Sequence, residues 1–132
     1  MEKDDAPRPP VLGYPVLGSD KNLTVYHDVA AFALVTVGQL ECADLRIALF
    51  ERLLEAGFEL PVVVSPHAVV SPHALIGKGT IVMHYAVVNA GATIGKNCIL
   101  NSKSLVEHDA KVGDHCHIST GAILNGAVRV GP

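Results

Sequence analysis

The stretch VVVSPHAVVSPHALIGKGTIVMHYAVVNAGATIGKNCILNSKSLVEHDAKVGDHCHISTGAILNGAVRVG, residues 62–131, decides the fold. Every sixth residue in it is aliphatic: Val64, Val70, Ile76, Val82, Val88, Ile94, Leu100, Val106, Val112, Ile118, Leu124 and Val130. Two residues before each stands a mostly small residue: Val62, Ala68, Ala74, Thr80, Ala86, Ala92, Cys98, Ser104, Ala110, Cys116, Ala122 and Val128. Twelve repeats without a slip fit neither a helix nor a heptad, whereas a hexapeptide β-solenoid has this period. Glycine follows the aliphatic residue at Gly77, Gly95, Gly113 and Gly131, eighteen residues apart. Three hexapeptides therefore make one coil, about four coils in all. Parallel strands of successive coils are expected to stack about 4.8 Å apart.

The columns also sort the outward residues. One face carries Val69, Val87, Leu105 and Ile123; a second carries Val63, Ile81, Ile99 and His117; a third carries Leu75, Thr93, Lys111 and Arg129. Two outward faces this apolar call for cover, either by the N-terminal portion or by packing between subunits about a threefold axis.

Upstream, residues 1–12 are charged and then Pro-rich, an extended lead-in. Residues 13–19 suit a strand or turn, and residues 20–29 a short helix capped by Ser19 or Asp20. AFALVTVG (31–38) reads as a buried strand. Residues 44–56 read as an amphipathic helix with Leu45, Ala48, Leu49 and Leu53 on one face and Gly57 as its stop. Strand, helix and strand together suggest a small α/β portion. The division expected is 1–60 for a partial α/β segment and 61–132 for the solenoid. Both ends read as cut.

Composition narrows the function. The net charge of −3 argues against nucleic acid as a partner. No run approaches the ~20 apolar residues that span a bilayer, and the start is no signal peptide. Three cysteines without a CxxC pair indicate neither a disulfide framework nor a zinc site. Cys98 and Cys116 fall in the small inward column, as core hydrophobes. A reducing, cytoplasmic setting and no metal are expected.

The residues that could carry chemistry are Glu107-His108-Asp109. A histidine beside carboxylates can act as a general base near neutral pH, since a carboxylate orients the ring and stabilises its imidazolium form. A solvated corner histidine is the competing reading. Gly126 lies one coil later at the same corner, where its N–H could face a developing oxyanion; a plain turn glycine is the alternative. Asn89, Glu107 and Asn125 stack in register there. Asn101 occupies the corner one hexapeptide earlier, and His117 points outward from a mostly apolar face.

These repeats, with VEHD followed by GDHCHIST and GA, resemble the hexapeptide-repeat acyltransferases related to sialic acid O-acetyltransferase. That group includes bacterial N-acetyltransferases of nucleotide-linked 4-amino sugars. VLGYPVLGSD, FALVTVG and LRIALFERLLEAGFELP also look like that family's connection into its solenoid. The resemblance implies a left-handed parallel β-helix, a homotrimer, and acetyl transfer from acetyl-CoA to the amine of a nucleotide-linked amino sugar for bacterial surface polysaccharide or glycan synthesis. It implies His108 as general base, Asp109 as the acid that polarises it, Glu107 as a flanking acid and Gly126 as oxyanion donor. It implies Asn101, His117 and Asn125 as substrate or cofactor contacts, and residues 1–60 as the remnant of a nucleotide-sugar-binding domain. The alternatives left open are O-acetylation of a sialic-acid-like or other hydroxyl acceptor, and a non-catalytic solenoid serving oligomerisation.

Overall fold

The computed structural model describes residues 9–39 and 41–131; most of the lead-in expected over residues 1–12 lies outside them. From Val63 onward the chain winds as a left-handed parallel β-helix of four coils. Twelve two-residue strands form three parallel sheets. The first stacks β1 (Val63–Val64), β4 (Ile81–Val82), β7 (Ile99–Leu100) and β10 (His117–Ile118). The second stacks β2 (Val69–Val70), β5 (Val87–Val88), β8 (Leu105–Val106) and β11 (Ile123–Leu124). The third stacks β3 (Leu75–Ile76), β6 (Thr93–Ile94), β9 (Lys111–Val112) and β12 (Arg129–Val130). Register follows the eighteen-residue arithmetic: Val69 pairs with Val87, Val87 with Leu105, and Leu105 with Ile123.

The two inward columns fill the prism. Val82, Ala86, Val88, Ala92, Ile94, Cys98, Leu100, Val106, Ala110, Val112, Cys116 and Ile118 form one buried cluster. Small residues alternate with aliphatic ones because three sheets converge on a narrow axis, where only one of each neighbouring pair can be large. Of the polar residues in the inward column, Thr80 is satisfied: its Oγ1 donates to the Gly95 carbonyl at 2.9 Å and accepts the Cys98 N–H at 3.0 Å, while the buried Ser104 hydroxyl has no partner among the described residues. The cysteines are free; Cys98 Sγ bonds the Gly113 carbonyl at 3.1 Å, and burial pushes its thiol up to about 11. They serve as the small core residues expected of that column.

The N-terminal portion departs from expectation in three places. Residues 20–26 form a 3₁₀ helix (Asp20–Tyr26), with Ser19 at its N-cap position but no capping bond from that side chain. The strand expected over residues 31–38 is only an extended run, with a single parallel bridge between Phe32 and Glu59. Its carbonyls are taken elsewhere: those of Val35 and Val37 accept from the Arg46 guanidinium at 3.2 and 2.6 Å. With these carbonyls turned to the Arg46 side chain, the pairing does not extend beyond that one bridge.

Helix α1 (Asp44–Glu55) forms as expected, but its buried face differs. Arg46 and Phe50 are the buried residues, while Leu45 is 58% exposed and Ala48 is exposed. Phe50 turns toward the corner between the third and first sheets, where a side chain on Gly79 would collide with its ring. It also meets the His115 ring edge-on at 5.7 Å. The end of α1 has Gly57 N–H bonding Leu54 O at 2.9 Å and Phe58 N–H bonding Leu53 O at 3.0 Å, the two bonds of a Schellman cap. Val35, Phe50, Phe58 and Leu60 then make a second small core.

This packing divides the apolar outward faces. The N-terminal portion covers part of the first sheet, where Ile99 is buried. The second sheet stays open, with Val69 and Ile123 64% and 63% exposed.

Candidate active site

Each corner of the prism repeats as a column along the axis. Between the second and third sheets, successive coils place Asn89-Ala90-Gly91, then Glu107-His108-Asp109, then Asn125-Gly126-Ala127. Asp109 takes a left-handed conformation at φ 61°, which turns its side chain back toward its neighbour. His108 Nδ1 and Asp109 Oδ2 stand 2.9 Å apart. A carboxylate only accepts, so Nδ1 carries the proton and the Nε2 lone pair is left for chemistry. This hydrogen bond is the main cause that raises the His108 pKa above its ordinary value; the negative charges of Asp109 and Glu107 add to it.

Two glycines hold the pair from either side. A Cβ on Gly126 would stand 2.7 Å from His108 Nε2 and 2.8 Å from Cε1, so the ring occupies the space a side chain would need. One coil earlier, a Cβ on Gly91 would collide with Asp109 Oδ1. Gly91 also sits at φ 72°, where other residues are strained. Gly91 escaped the sequence reading, yet it stands eighteen residues before Asp109, as His108 stands eighteen before Gly126. The same column arithmetic would have found it. The Gly126 N–H has no hydrogen-bond partner among the described residues, whereas the preceding Ala90 N–H goes to Asn89 Oδ1 at 2.8 Å.

Glu107 does not reach the His108 ring. Its Oε2 accepts Asn89 Nδ2 at 2.9 Å and the His108 backbone N–H at 3.4 Å, so it ties the corner to the coil before. Asn125 is exposed above it.

Asn101 and His117 form a second group at another corner. Asn101 Nδ2 lies 3.0 Å from His117 Nε2, and Asn101 Oδ1 accepts the Ser102 N–H at 2.8 Å. His117 Nδ1 lies 2.9 Å from the Gln39 carbonyl oxygen. The chain thus joins His108 to Asp109 and Gly126, and Asn101 to His117, but does not bring the two groups together. A whole hexapeptide, roughly 20 Å of extended chain, runs between the two corners. Among the described residues, no group of three or more His, Cys, Asp or Glu could hold a metal ion.

The bacterial transferase hexapeptide model, of six repeats, matches residues 73–108 and 91–126. Both matches lie within the solenoid. Solved structures that resemble the whole described chain include the acetyltransferase domain of PglB from Neisseria gonorrhoeae in complex with acetyl coenzyme A. That domain is 35% identical with a TM-score of 0.83, over 96% of this chain and 60% of its own. A mutant of perosamine N-acetyltransferase from Caulobacter crescentus, in complex with CoA and GDP-perosamine, is 33% identical with a TM-score of 0.86. The match covers 93% of this chain and 58% of that one. PerB from the same organism, also with CoA and GDP-perosamine, is 30% identical with a TM-score of 0.82, over 92% and 66%. The chain therefore spans about three fifths to two thirds of the length of these structures. Comparison with curated protein sequences gives no match.

Proposed function

We propose that this protein transfers an acetyl group from acetyl-CoA to the amine of a nucleotide-linked amino sugar, as part of bacterial surface polysaccharide or glycan synthesis in the cytoplasm. The observation that carries this reading is the His108–Asp109 pair with its free Nε2 against Gly126. His108 Nε2 takes a proton from the acceptor amine as the nitrogen attacks the thioester carbonyl. The Gly126 N–H, unpartnered among the described residues, receives the oxyanion. Collapse of the tetrahedral species forms the amide and breaks the C–S bond, and the proton held by His108 passes to the departing thiolate. Asp109 keeps the ring in the required tautomer throughout. No covalent enzyme intermediate is needed.

Similarity to enzymes whose complexes hold CoA and GDP-perosamine supports the choice of both substrates, and supports N- over O-transfer. Residues 1–60 are read as belonging to a nucleotide-sugar-binding portion. A homotrimer is supported by the open apolar face through Val69 and Ile123, and by the split of candidate groups between two corners. A second copy laid along that face would bring its Asn101–His117 corner toward His108, completing a cleft that one chain lacks.

The test is turnover of acetyl-CoA with nucleotide-linked 4-amino sugars against hydroxyl acceptors. N-acetylated product that disappears in His108→Ala supports the reading; full turnover by that variant refutes the mechanism. Calorimetry with acetyl-CoA discriminates the remaining alternative, because absence of binding would leave the solenoid an oligomerisation module.

A further inference from the structure

Arg46 is the least expected buried residue of the chain. It is 1% exposed on α1, and its guanidinium is answered among the described residues by oxygens of neutral groups: the Val35 and Val37 carbonyls and the Asn97 side chain, the last at 2.9 Å. Its Nε is buried without a partner among the described residues. A buried charge this incompletely compensated costs free energy, and an apolar side chain of similar volume would pack at this position at least as well. What packing would not supply is the fork of the guanidinium, which ties the Val35 and Val37 carbonyls to the Asn97 side chain.

The fork fixes an edge. Along an extended chain, carbonyls of alternate residues point the same way. Val35 and Val37 present theirs to Arg46, and Gln39, the next in the alternation, presents its own to His117 Nδ1 at 2.9 Å. A carbonyl oxygen can only accept, so the proton of neutral His117 resides on Nδ1 and Nε2 holds the lone pair. That lone pair receives Asn101 Nδ2 at 3.0 Å, which agrees with Asn101 Oδ1 accepting the Ser102 N–H. The Asn101 amide is thereby oriented, with one remaining N–H to offer.

We propose that Arg46 is a positioning residue. By clamping the Val35–Gln39 edge it locks His117 in the Nδ1–H tautomer, so that the Asn101–His117 pair presents a hydrogen-bond donor to an oxygen of the ligand. The consequence for substrate rests on the acetyltransferase reading above; the tautomer itself does not. The contact to His117 is through the Gln39 main chain; the Gln39 side-chain Oε1 is buried without a partner among the described residues.

The experiment is long-range proton–nitrogen NMR of the protein with ¹⁵N-labelled histidine, His117 being assigned among the seven histidines by its loss in His117→Gln. At pH 7.5 the wild type is expected to show His117 as the Nδ1–H tautomer. Arg46→Met removes the fork, and His117 is expected to shift toward the Nε2–H form that a free imidazole favours. Arg46→Lys keeps charge and stem without the fork, and gives the same readout if the Met variant fails to fold. In acetyl transfer either variant is expected to raise KM for the acceptor about tenfold with kcat within about twofold, as loss of one oriented hydrogen bond implies. His117 as Nε2–H in the wild type, or an unchanged Nδ1–H tautomer in a folded Arg46 variant, would overturn the proposal. Absence of turnover in the wild type would sink the acetyltransferase reading and leave the NMR result to decide this one.

Discussion

Gly126 and His108 occupy one space: the imidazole ring lies where a Cβ on Gly126 would be, 2.7 Å from Nε2. Gly126 is not among the residues of positive φ, so Gly126→Ala adds no backbone strain, only a methyl group in the way of the ring. His108 must then rotate away, breaking its 2.9 Å contact with Asp109 or losing its aim at the acceptor. Misplacement of a catalytic group by about 1 Å costs on the order of 10²-fold. The expected outcome is a fall in kcat of about that size, with the circular dichroism spectrum unchanged.

The proton balance of the same pair predicts the pH profile. The raised pKa of His108 means that it holds a proton to higher pH than an ordinary histidine, and only the deprotonated ring can act as base. Acetyl transfer should therefore increase with pH and level off above an inflection higher than about 6.5. His108→Ala should cost roughly 10²–10⁴-fold in kcat. Asp109→Asn removes the charge and offers an amide that can donate to Nδ1, favouring the proton on Nε2. Its inflection should move to lower pH, with a lower plateau. An inflection unmoved by Asp109→Asn would mean that another group titrates.

How much of this was legible beforehand depended on whether a residue obeys the repeat. Within the solenoid a residue's place follows from its number modulo eighteen, because the strands of successive coils pair at a fixed register of eighteen residues. That put His108 beneath Gly126 and assigned Val69 and Ile123 to one face. It would equally have put Asp109 over Gly91. Outside the repeat, the apolar run at residues 31–38 carried every local mark of a strand. What it lacks is a neighbour, since the carbonyls of Val35 and Val37 go to Arg46. Side-chain contacts made across 9, 11, 51 and 78 residues leave no periodic trace, and the Arg46–Val37, Arg46–Val35, Arg46–Asn97 and Gln39–His117 contacts were invisible for that reason.

Core and face substitutions should separate folding from assembly. Leu100 is fully buried, and Leu100→Ala should destabilise the fold by about 2–5 kcal/mol, measured by chemical denaturation. Ile123 is 63% exposed on the single chain, where a change costs little. If the open face is the subunit interface, Ile123→Asp should leave the fold intact, shift sedimentation toward the monomer and abolish acetyl transfer. A variant that stays assembled would remove the second sheet from the interface.

His115 predicts a loss of stability in mild acid. Its pKa is lowered, first by burial and then by the nearby Lys96 charge, with Arg46 acting the same way and Asp114 and Glu51 opposing. Its Nδ1 lies 2.9 Å from Asn97 Nδ2, whose Oδ1 accepts from Arg46, so Nδ1 is the acceptor. Protonation would set two donors face to face beside a buried guanidinium and against the Phe50 ring. The unfolded chain binds that proton at an ordinary pKa near 6.5, the folded chain only at a lower one. Stability from this residue is therefore whole above about pH 6.5 and declines as pH falls from there through the folded pKa. His108, raised rather than lowered, works in the opposite sense, so the bulk pH dependence mixes the two. The measurement that isolates His115 is thermal unfolding from pH 7.5 to 5 in wild type and His115→Gln. The variant is expected to lose the acid-side decline; if its melting curve falls with pH as steeply as the wild type's, the Arg46–Asn97–His115 network is not what titrates.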